Sequence, residues 1–531
     1  MPSSRLSLAR PRELLAGTVD ALPLDLFRVL VGVLAFVYFL RTFLEARDFS
    51  GPGGLIDHEL SRELFWFTRL SLFQPGMSLA MFQAIYLFAC LCACALIVGY
   101  RVKTFAAVLY LIAVCAYRWN FLVMYVDDSI VHLTLFWLLL LPVGRTLILR
   151  EWLVERGTAW RRWKCERVQG TATRCFLWNL ALIYLVAGLW KWASPMWRDG
   201  IALYAVLKLP ISLTPEFWGP EHLSLLKVLN YCALILEPLF PLIFILPRGH
   251  PAKYGLLLAL FGFHVGTLAT LQIPFANIAC LAAMIIPFGG ELMDRLRGGA
   301  SWSQLRRAPA RVGRCDAFAL LFVVVLTLAM LSSVALPQWR APTRRGYAEA
   351  AGILTVASGG TADESRAACC ATGDPDKGGA EGLGPLQQVF FSSLWCIGIA
   401  QQYQLFNWID ERNYAVRYRI IEYEGDARGR EIEPGAMFVE STRGVLLQFY
   451  LHGLTWMRIE PGRAAELRRS IQTRTARRYC QRFQPQGVVV VYSTVERIVP
   501  GGNRVEGGPA LLMRFSCDGG EPEMQAMNLD P

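Results

Sequence analysis

The chain has few charged side chains for its length. Asp, Glu, Lys and Arg make up 18% of the 531 residues, whereas hydrophobic residues make up 54% and the mean hydropathy is +0.36. Soluble globular domains carry about 25% charged residues. The composition therefore argues against an ordinary soluble protein and predicts an integral membrane protein.

The sequence also lacks the motifs of several common activities. It contains no Walker A sequence, no Gly-x-Gly-x-x-Gly, and no Cys-x-x-Cys or Cys/His spacing of a zinc site. Nucleotide-driven transport and dinucleotide binding therefore have no support, and no metal is predicted. The net charge of +11 lies in blocks between apolar segments, so nucleic acid is not an expected partner.

Long apolar segments are what the sequence has instead. Crossing a bilayer core takes about 20 apolar residues as a helix. The first segment is longer than a signal-peptide core, so it is predicted to be retained. The third and eighth are short, which fits tilted, re-entrant or partly buried helices. Nine candidate segments predict a polytopic α-helical domain over 22–337, which follows a cytoplasmic segment 1–21. The nine segments are 22–43, 78–99, 104–119, 129–148, 175–193, 225–246, 253–271, 274–290 and 315–336.

Basic residues are concentrated in every second loop. Cytoplasmic loops hold the excess of Lys and Arg. The amino terminus is therefore predicted in the cytoplasm and the region after the ninth segment outside, at the cell membrane, which would be the inner membrane of a bacterium. Anionic-lipid or partner binding by the densest block is the alternative to a simple topogenic signal. That block comprises Arg150, Arg156, Arg161, Arg162, Lys164, Arg167 and Arg174.

The composition changes after the ninth segment. Residues 338–385 are rich in Gly, Ala, Thr and acidic residues, which predicts a linker or long loop. Residues 386–406 are predicted as a helix at the membrane surface, with a tenth crossing as the alternative. The region 386–531 is predicted as an extracytoplasmic α+β domain with a mainly antiparallel sheet. Its strand-like runs are 414–424, 436–441, 444–454, 487–499 and 511–515, and 463–483 is a basic helix.

Four cysteines lie in this carboxy-terminal region: Cys369, Cys370, Cys480 and Cys517. An exported domain can form one or two disulfides from them. The spacing alone leaves their pairing open.

Polar residues interrupt the apolar segments at several places, and such residues mark functional sites by default. The junction of the third and fourth segments holds Arg118, Asn120, Asp127, Asp128 and His132. The two aspartates fit a cation, a general base or the polar head of a substrate. The structural alternative is a salt bridge at the loop end, with the two aspartates pointing in different directions.

Lys191 lies at the outer end of the fifth segment, between Trp190 and Trp192. Partial desolvation can make such a lysine a base near neutral pH. The alternative is a snorkelling lysine in an aromatic belt. His264, on the seventh segment, is predicted to relay protons or to bind a ligand, with a packing histidine as the alternative.

Two further ionisable residues, Arg28 and Glu237, lie in the first and sixth segments. Each needs a partner, and the sequence predicts that they pair with each other across the bundle. The remaining polar residues all lie toward the external side, which predicts one outward-facing cavity that holds Asp127, Asp128, Lys191 and His264 together.

The order and wording of these segments resemble the HTTM (horizontally transferred transmembrane) domain family, which is related to the vitamin K-dependent gamma-carboxylases. The resemblance covers residues 20–290, through LDLFRVLVGVLAFVYFLR, GPGGLI, RWNFLVMYVDDSIVHLTLFWLLLLPVGR, IYLVAGLWKWASPMWRDG and FHVGTLATLQIPFANIACLAAMIIPF. The run QQYQLFNWIDERN at 401–413 also resembles a segment that follows the membrane part in that family. The most specific pattern is Tyr-x-x-Ala-Gly-x-x-Lys with a later Trp and Gly, formed by Tyr184, Ala187, Gly188, Lys191, Trp197 and Gly200.

The resemblance implies roles for three residues. Lys191 falls where the carboxylases keep the base that deprotonates a reduced quinone, which is the cofactor that the resemblance suggests. His264 matches a Phe-His pair of the carboxylases. Asp128 stands where they have a histidine that assists the carbanion step, and the exported part is smaller here than in the carboxylases.

The predicted function is therefore a carboxylase- or epoxidase-like (lyase) membrane enzyme that acts at the outer leaflet on a quinone or another lipid-soluble molecule. Alternatives are a non-catalytic scaffold or lipid- or quinone-binding protein and, third, a transporter. The lipid bilayer is a predicted partner, and the sequence identifies no protein partner. The predicted catalytic residues are Lys191, Asp128, Asp127 and His264, and the predicted substrate-binding residues are Arg118, Asn120, His132, Trp190 and Trp192.

Overall fold

The structure is a computed structural model. It describes residues 17–246, 250–297, 313–335, 413–424, 429–452, 459, 461–499, 504–505, 509–518 and 520–525. Several sequence predictions lie outside the described residues: the linker 338–385, the surface helix 386–406, nearly all of the run 401–413, and Cys369 and Cys370.

The amino-terminal part is a bundle of helices with one small antiparallel ribbon. The ribbon consists of β1 (Thr18–Asp20) and β2 (Arg167–Gln169). The helices are α1 (Ala21–Leu44), α2 (Ala46–Phe49), α3 (His58–Leu64), α4 (Leu79–Ile97), α5 (Val102–Trp119), α6 (Val126–Leu140), α7 (Leu149–Cys165), α8 (Thr171–Ala193), α9 (Pro195–Arg198), α10 (Ala202–Lys208), α11 (Leu223–Leu239), α12 (Leu242–Ile245), α13 (Pro251–Thr270), α14 (Pro274–Ala283), α15 (Gly289–Arg297) and α16 (Arg314–Ala335).

Six helices are long and apolar enough to cross a membrane, counted over the residues that the structure describes. They are α1, α4, α5, α8, α13, and α11 with the 3₁₀ turn that precedes it. Their mean hydropathies range from 1.2 to 2.2. The prediction of a helical membrane protein is confirmed at this level, whereas nine crossings stay a prediction.

Each of the nine predicted segments contains a helix, but two of these helices are short. The fourth segment was predicted to end near 148, yet α6 ends at Leu140 because Pro142 cannot continue a helix. The chain then turns through Gly144 with φ +82° and Leu147 with φ +51°. In the eighth segment α14 has 10 residues, well short of a full crossing.

The connections between consecutive helices lie alternately at two opposite faces of the bundle. At the amino-terminal face, β1 pairs with β2, the Leu149 N–H donates to the Val98 carbonyl at 3.0 Å, and Lys164 Nζ donates to the Leu296 carbonyl at 2.9 Å. The opposite face is formed by loops 45–70, 120–125 and 271–273. These three loops follow the first, third and seventh predicted segments.

The carboxy-terminal part is an α+β domain with an antiparallel sheet, as predicted. The strand order is β4-β3-β5-β7-β8, and β6 pairs with β5. Strands β3 and β5 pair over ten residues, from Tyr414 with Arg497 to Tyr423 with Val488. Its elements are β3 (Tyr414–Tyr423), β4 (Arg430–Ile432), α17 (Pro434–Met437), α18 (Thr442–Leu451), α19 (Pro461–Phe483), β5 (Val488–Arg497), β6 (Arg504–Val505), β7 (Ala510–Asp518) and β8 (Glu521–Met524).

Two strand predictions in this domain are wrong. The run 436–441 begins in α17 and continues as extended chain, and the run 444–454 falls on α18. The Ser441 hydroxyl accepts a hydrogen bond from the Gly444 N–H and so caps α18. Val445, Leu447 and Tyr450 are buried by this helix. Tertiary packing thus overrides the β propensity of the run.

Cys480 of α19 and Cys517 of β7 form a disulfide, with Cα atoms 5.5 Å apart. The pairing that the sequence left open is therefore settled for these two cysteines. A disulfide is typical of an oxidising compartment, which agrees with the predicted exported location of this domain.

The carboxy-terminal domain packs on the opposite face of the bundle through a shared hydrophobic core. Phe49 and Ile56 from the loop after α1, and Leu122 from the turn after α5, join Ile420 and Leu447 in one buried cluster. Polar contacts surround it. Arg478 Nε donates to Asp48 Oδ1 at 2.9 Å, Ser470 Oγ donates to Asp57 Oδ2 at 2.8 Å, and Arg474 Nη1 donates to the Gly54 carbonyl at 3.1 Å.

Candidate functional site

Lys191 forms a buried ion pair with Glu237. The Lys191 ammonium contacts both carboxylate oxygens, with a distance of 2.5 Å to Oε2, and lies 5.1 Å from the centre of the Trp197 ring. The two side chains are 4% and 2% exposed. The snorkelling alternative is therefore wrong, because Lys191 reaches neither water nor lipid. The pairing of Glu237 with Arg28 is wrong as well.

The Tyr-x-x-Ala-Gly-x-x-Lys pattern creates this pair by letting two helices approach closely. A Cβ atom at Gly188 would lie 2.6 Å from Pro238 Cδ and 3.3 Å from Glu237 Cβ. Only glycine fits there, so α11 can bring Glu237 against α8. Residues three or four apart share one helix face, which places Tyr184, Gly188 and Lys191 on the face that packs against α11.

His264 belongs to a second buried polar group. Its Nε2 is hydrogen-bonded to the Tyr184 hydroxyl, and its Nδ1 lies 2.8 Å from Asn277 Oδ1. Asn277 Nδ2 donates to the Ile273 carbonyl at 2.6 Å. The Tyr184 ring stacks on Phe240 with centroids 4.3 Å apart, one turn beyond Glu237. His264 therefore lies beside the Lys191 pair, one hydrogen bond beyond Tyr184.

Asp128 binds an arginine from the carboxy-terminal domain. Arg443 Nη2 donates to Asp128 Oδ1 at 3.0 Å, and the Tyr38 hydroxyl donates to the same oxygen at 2.7 Å. Arg443 Nη1 lies 3.3 Å from Glu45 Oε2, and the Arg443 side chain is 4% exposed. Asp128 also accepts the Tyr125 N–H at 3.1 Å. Asp128 thus anchors the carboxy-terminal domain to the bundle.

Asp127 points elsewhere. Its Oδ1 accepts the Ala276 N–H at 2.7 Å, and its Oδ2 accepts the Tyr125 hydroxyl at 3.1 Å. It therefore caps the start of α14, which carries Asn277. The two aspartates diverge, as the structural alternative predicted. No side-chain hydrogen bond among the described residues joins them to Lys191 or His264, and the one outward-facing cavity that holds all four stays a prediction.

Arg28 pairs within its own helix rather than with Glu237. Its Nε donates to Asp25 Oδ1 at 2.9 Å, and its other nitrogens donate to the carbonyl oxygens of Leu96, Ile97, Thr146 and Leu147. The Asp25 carboxylate in turn accepts the backbone N–H groups of Gly144, Arg145 and Thr146 at 2.6–2.9 Å. This ion pair fastens three segments at the amino-terminal face.

The predicted substrate-binding residues serve other contacts. Arg118 donates to the Leu70 carbonyl, and Asn120 Nδ2 donates to Ser50 Oγ at 2.9 Å, so both hold the loop after α1. His132 is buried, with its ring edge-on to Tyr117 at 5.4 Å. Trp192 is 46% exposed and donates to the Leu234 carbonyl at 2.9 Å, and Trp190 is half-buried. The structure places Trp190 and Trp192 on the helix of Lys191, whereas Arg118 lies in the last turn of α5 and Asn120 directly follows that helix.

Charge at the interface with the carboxy-terminal domain is fixed by its surroundings. Burial alone would lower the pKa of Arg443, but the Asp128 carboxylate raises that pKa above its ordinary value. Burial lowers the pKa of His58 to about 4. Burial favours a higher pKa for Asp57, yet hydrogen bonds from the Leu60 N–H and the Ser470 hydroxyl bring it below its usual value. At neutral pH, Arg443 is thus charged and His58 is neutral.

Two other kinds of candidate site, a metal centre and the cleft at the domain interface, do not involve the Lys191 pair. Among the described residues, no group of three His, Cys, Asp or Glu side chains is arranged to hold a metal ion. A small, partly open cleft lies between the carboxy-terminal domain and Leu55. Its mainly apolar lining includes neither Lys191 nor His264.

Sequence reasoning missed four residues of these groups: Tyr184 and Asn277 as partners of His264, Glu237 as the partner of Lys191, and Arg443. Tyr184 was quoted for the resemblance, and its spacing of seven from Lys191 places both on one helix face. Asn277 is polar within an apolar segment, which is the signal used for His264. Arg443 carries no comparable signal, since one arginine in a soluble domain is ordinary.

The polar groups just described define a helical membrane protein with a buried lysine–carboxylate pair. No family model, no curated protein and no solved structure matches the chain. The resemblance to the HTTM family and the roles that it implies therefore stay predictions.

Proposed function

We propose that this protein is an HTTM-type membrane enzyme, related to the vitamin K-dependent gamma-carboxylases, that uses Lys191 as a base at the outer leaflet. The observation that carries the proposal is the Lys191–Glu237 pair, two ionisable groups in direct contact and almost fully buried between α8 and α11. Lys191 is one of the residues that carry the family resemblance. Strongly interacting buried ionisable groups are typical of catalytic sites.

The pair can supply a base without leaving a net charge behind. If the Lys191 proton passes to Glu237, the ion pair becomes a neutral amine and a neutral acid, and the net charge stays at zero. Such a transfer is affordable in a low-dielectric interior, where separated charges are costly. The free amine can then accept a proton from an acidic substrate hydroxyl, leaving a substrate anion beside the ammonium.

The residues around the pair fit a reduced quinone in their chemistry. The rings of Trp197, Tyr184 and Phe240 offer aromatic surface next to the amine, and the amine offers an acceptor for the hydroxyl proton. A bound reduced quinone would supply that acidic hydroxyl. Lys191 would take the proton, Glu237 would hold the amine in place, and the close packing around Gly188 would exclude water.

The proposed orientation has nine crossings, with the amino terminus in the cytoplasm. Two features support it. The carboxy-terminal domain contacts loops that follow the first, third and seventh segments, which must share one side in a nine-crossing arrangement. The Cys480–Cys517 disulfide fits an oxidising compartment on that side.

The proposal is tested with membranes that contain the wild type, Lys191→Met or Glu237→Gln, supplied with a reduced naphthoquinone and oxygen. Quinone oxidation and epoxide formation are followed by mass spectrometry. We expect Lys191→Met to lower turnover about 100-fold or more, which is the lower range for loss of a general base. Glu237→Gln should also lose most turnover, because the lysine loses its proton acceptor.

Lys227→Met is the matched control. Lys227 is an exposed lysine on α11, the same helix as Glu237, and it should keep wild-type turnover. A wild type without turnover, or equal turnover in Lys191→Met and Lys227→Met at equal expression, would overturn the proposed enzyme.

The second candidate function is a non-catalytic membrane scaffold that displays the carboxy-terminal domain. The observation that favours it is the firm attachment of this domain through the shared core and through Arg443. The scaffold does not need the Lys191–Glu237 pair to react, so the same turnover measurement separates the two functions.

A further inference from the structure

Three helices of the bundle each contribute one residue to a buried hydrogen-bonded unit. Tyr184 comes from α8, His264 from α13 and Asn277 from α14, and all three are at most 6% exposed. The Tyr184 hydroxyl contacts His264 Nε2, and His264 Nδ1 lies 2.8 Å from Asn277 Oδ1. The contacts run from tyrosine to histidine to asparagine, and the Tyr184 hydroxyl also lies within hydrogen-bond reach of the Cys280 thiol on α14.

The hydrogen-bond partners fix where each proton lies. The Ile273 carbonyl can only accept, so the Asn277 amide nitrogen must face it, at 2.6 Å. Asn277 Oδ1 therefore faces His264 and must accept from its Nδ1–H. In the neutral ring Nε2 then has no proton. The Tyr184 hydroxyl is consequently the donor, and His264 Nε2 is the acceptor.

This order of donors matches the logic of an activated side chain. A hydroxyl donates to a histidine nitrogen, and a third group fixes the tautomer and orientation of the ring, as in catalytic triads. Asparagine holds the ring without a charge, so the unit is neutral at rest.

The unit also lies next to the Lys191 pair. Tyr184 and Lys191 are seven residues apart on the same face of α8, about 10 Å along the helix axis. Lys191 is close enough to His264 for an electrostatic interaction between them, and Glu237 is close enough to Tyr184. Because Glu237 neutralises Lys191, the unit does not face an uncompensated positive charge.

We propose that Tyr184, His264 and Asn277 form a second acid–base unit of this site, which rests on the proposed function. Tyr184 is the further catalytic residue, His264 is the proton store and Asn277 is a positioning residue. A reduced quinone, the substrate of the proposed function, carries two hydroxyls, and this unit would take the proton of the second one.

The proton transfer is balanced as follows. The substrate O–H bond breaks and a new O–H bond forms on Tyr184, while the original Tyr184 proton moves to His264 Nε2. The products are a substrate anion and an imidazolium, whose Nδ1–H still donates to Asn277. Lys191 and Tyr184 can thus take protons from opposite ends of one substrate.

The first test reads the tautomer and needs no turnover. The chain has six histidines, so ¹⁵N-histidine spectra of the protein in lipid are tractable, and His264→Gln assigns the signal. We expect a neutral ring with a proton on Nδ1 and none on Nε2. A ring protonated on Nε2 would overturn the proton order and with it the proposal.

The second test uses the pH–rate profile of quinone turnover. The titratable groups that face the unit are Lys191 and Tyr184 of α8, Glu237 of α11 and Cys280 of α14. Asn277→Asp places a carboxylate beside the ring and should move the acidic limb of the profile upward by about one unit or more. Tyr184→Phe should lose about 100-fold or more in turnover, whereas Tyr231→Phe, on the exposed side of α11, should not.

The outcomes separate this proposal from the proposed function. If Lys191→Met loses turnover but Tyr184→Phe and Asn277→Asp keep the wild-type rate and profile, the unit only bridges helices and the proposal is wrong. If the wild type has no turnover, the proposed function and the catalytic role of Tyr184 both fail, even with the expected tautomer. Loss in Tyr184→Phe together with the shifted profile supports the proposal.

Discussion

Two buried ion pairs lie near opposite ends of the bundle and differ in how many other partners they have. Asp25 and Arg28, at the start of α1, are both fully buried. Together they bind four carbonyl oxygens and three backbone N–H groups from the end of α4 and from the loop after α6. Lys191 and Glu237 form a hydrogen-bonded ion pair with each other. Among the described residues, the one other contact of the Lys191 ammonium is a cation–π contact with the Trp197 ring.

This is the difference that we expect between a structural pair and the reactive pair that we propose. Every charge that leaves water needs compensating contacts. Asp25 and Arg28 obtain them from fixed backbone groups, so neither can change its protonation state without breaking loop contacts. Among the described residues, no backbone group is hydrogen-bonded to the Lys191 ammonium or the Glu237 carboxylate, so the two charges are compensated mainly by each other. A pair of this second kind can exchange a proton while its surroundings stay in place.

The largest expected effect is on the saturated pair. Asp25→Asn should destabilise the protein by about 3–5 kcal/mol, because it leaves Arg28 uncompensated and turns an amide donor toward backbone donors. The free energy of unfolding in detergent, followed by tryptophan fluorescence, measures this. A loss below about 1 kcal/mol would mean that the backbone groups do not depend on the carboxylate.

An intermediate effect is expected for Arg443→Gln. Asp128 keeps Tyr38 and the Tyr125 N–H, so the loss should be roughly 1.5–3 kcal/mol, the range of hydrogen bonds to charged groups. Hydrogen exchange should become faster in α18 and in loop 45–57. Arg417→Gln is the control, since its side chain is 65% exposed and its bond to Glu496 should contribute about 0–1 kcal/mol. Equal exchange in both variants would contradict the anchoring role of Arg443.

The smallest effect on stability is expected for the reactive pair when both partners are replaced. Lys191→Met combined with Glu237→Leu removes both charges at similar volume, and such replacements are often neutral or stabilising. We therefore expect a stability within about 1 kcal/mol of wild type together with complete loss of turnover. Measured in the same unfolding assay, a loss like that of Asp25→Asn would show that this pair is structural too.

Much of the fold follows from the sequence, because hydropathy and charge act over whole segments. Each predicted segment contains a helix, and the runs at 414–424, 487–499 and 511–515 are strands. The errors fall where a local signal was weak. The run 444–454 has strand-like composition, and only the cap at Ser441 and the core beneath α18 make its residues 444–451 helical.

The candidate site was predictable in its members more than in its contacts. Lys191 and His264 were identified because the membrane tolerates few such residues, and both are buried as a functional site requires. Their partners depend on which helices become neighbours, and the sequence of a single helix does not contain that information. The sequence therefore paired Glu237 with Arg28, whereas the partner of Arg28 is Asp25. It placed the two aspartates in one cavity with Lys191, whereas Asp128 binds Arg443.

The order in which the chain is made gives the Arg443 contacts another meaning. Arg443 follows Glu45 by 398 residues and Asp128 by 315. At a synthesis rate of about 5–20 residues per second, roughly 15–80 seconds pass between the synthesis of these carboxylates and the synthesis of Arg443. During that interval Glu45 can pair with Arg41, whereas Asp128 lacks the arginine that it binds in the finished protein. The Arg443 contacts thus form only after α18 has been made, so a truncated chain that ends before α18 lacks them.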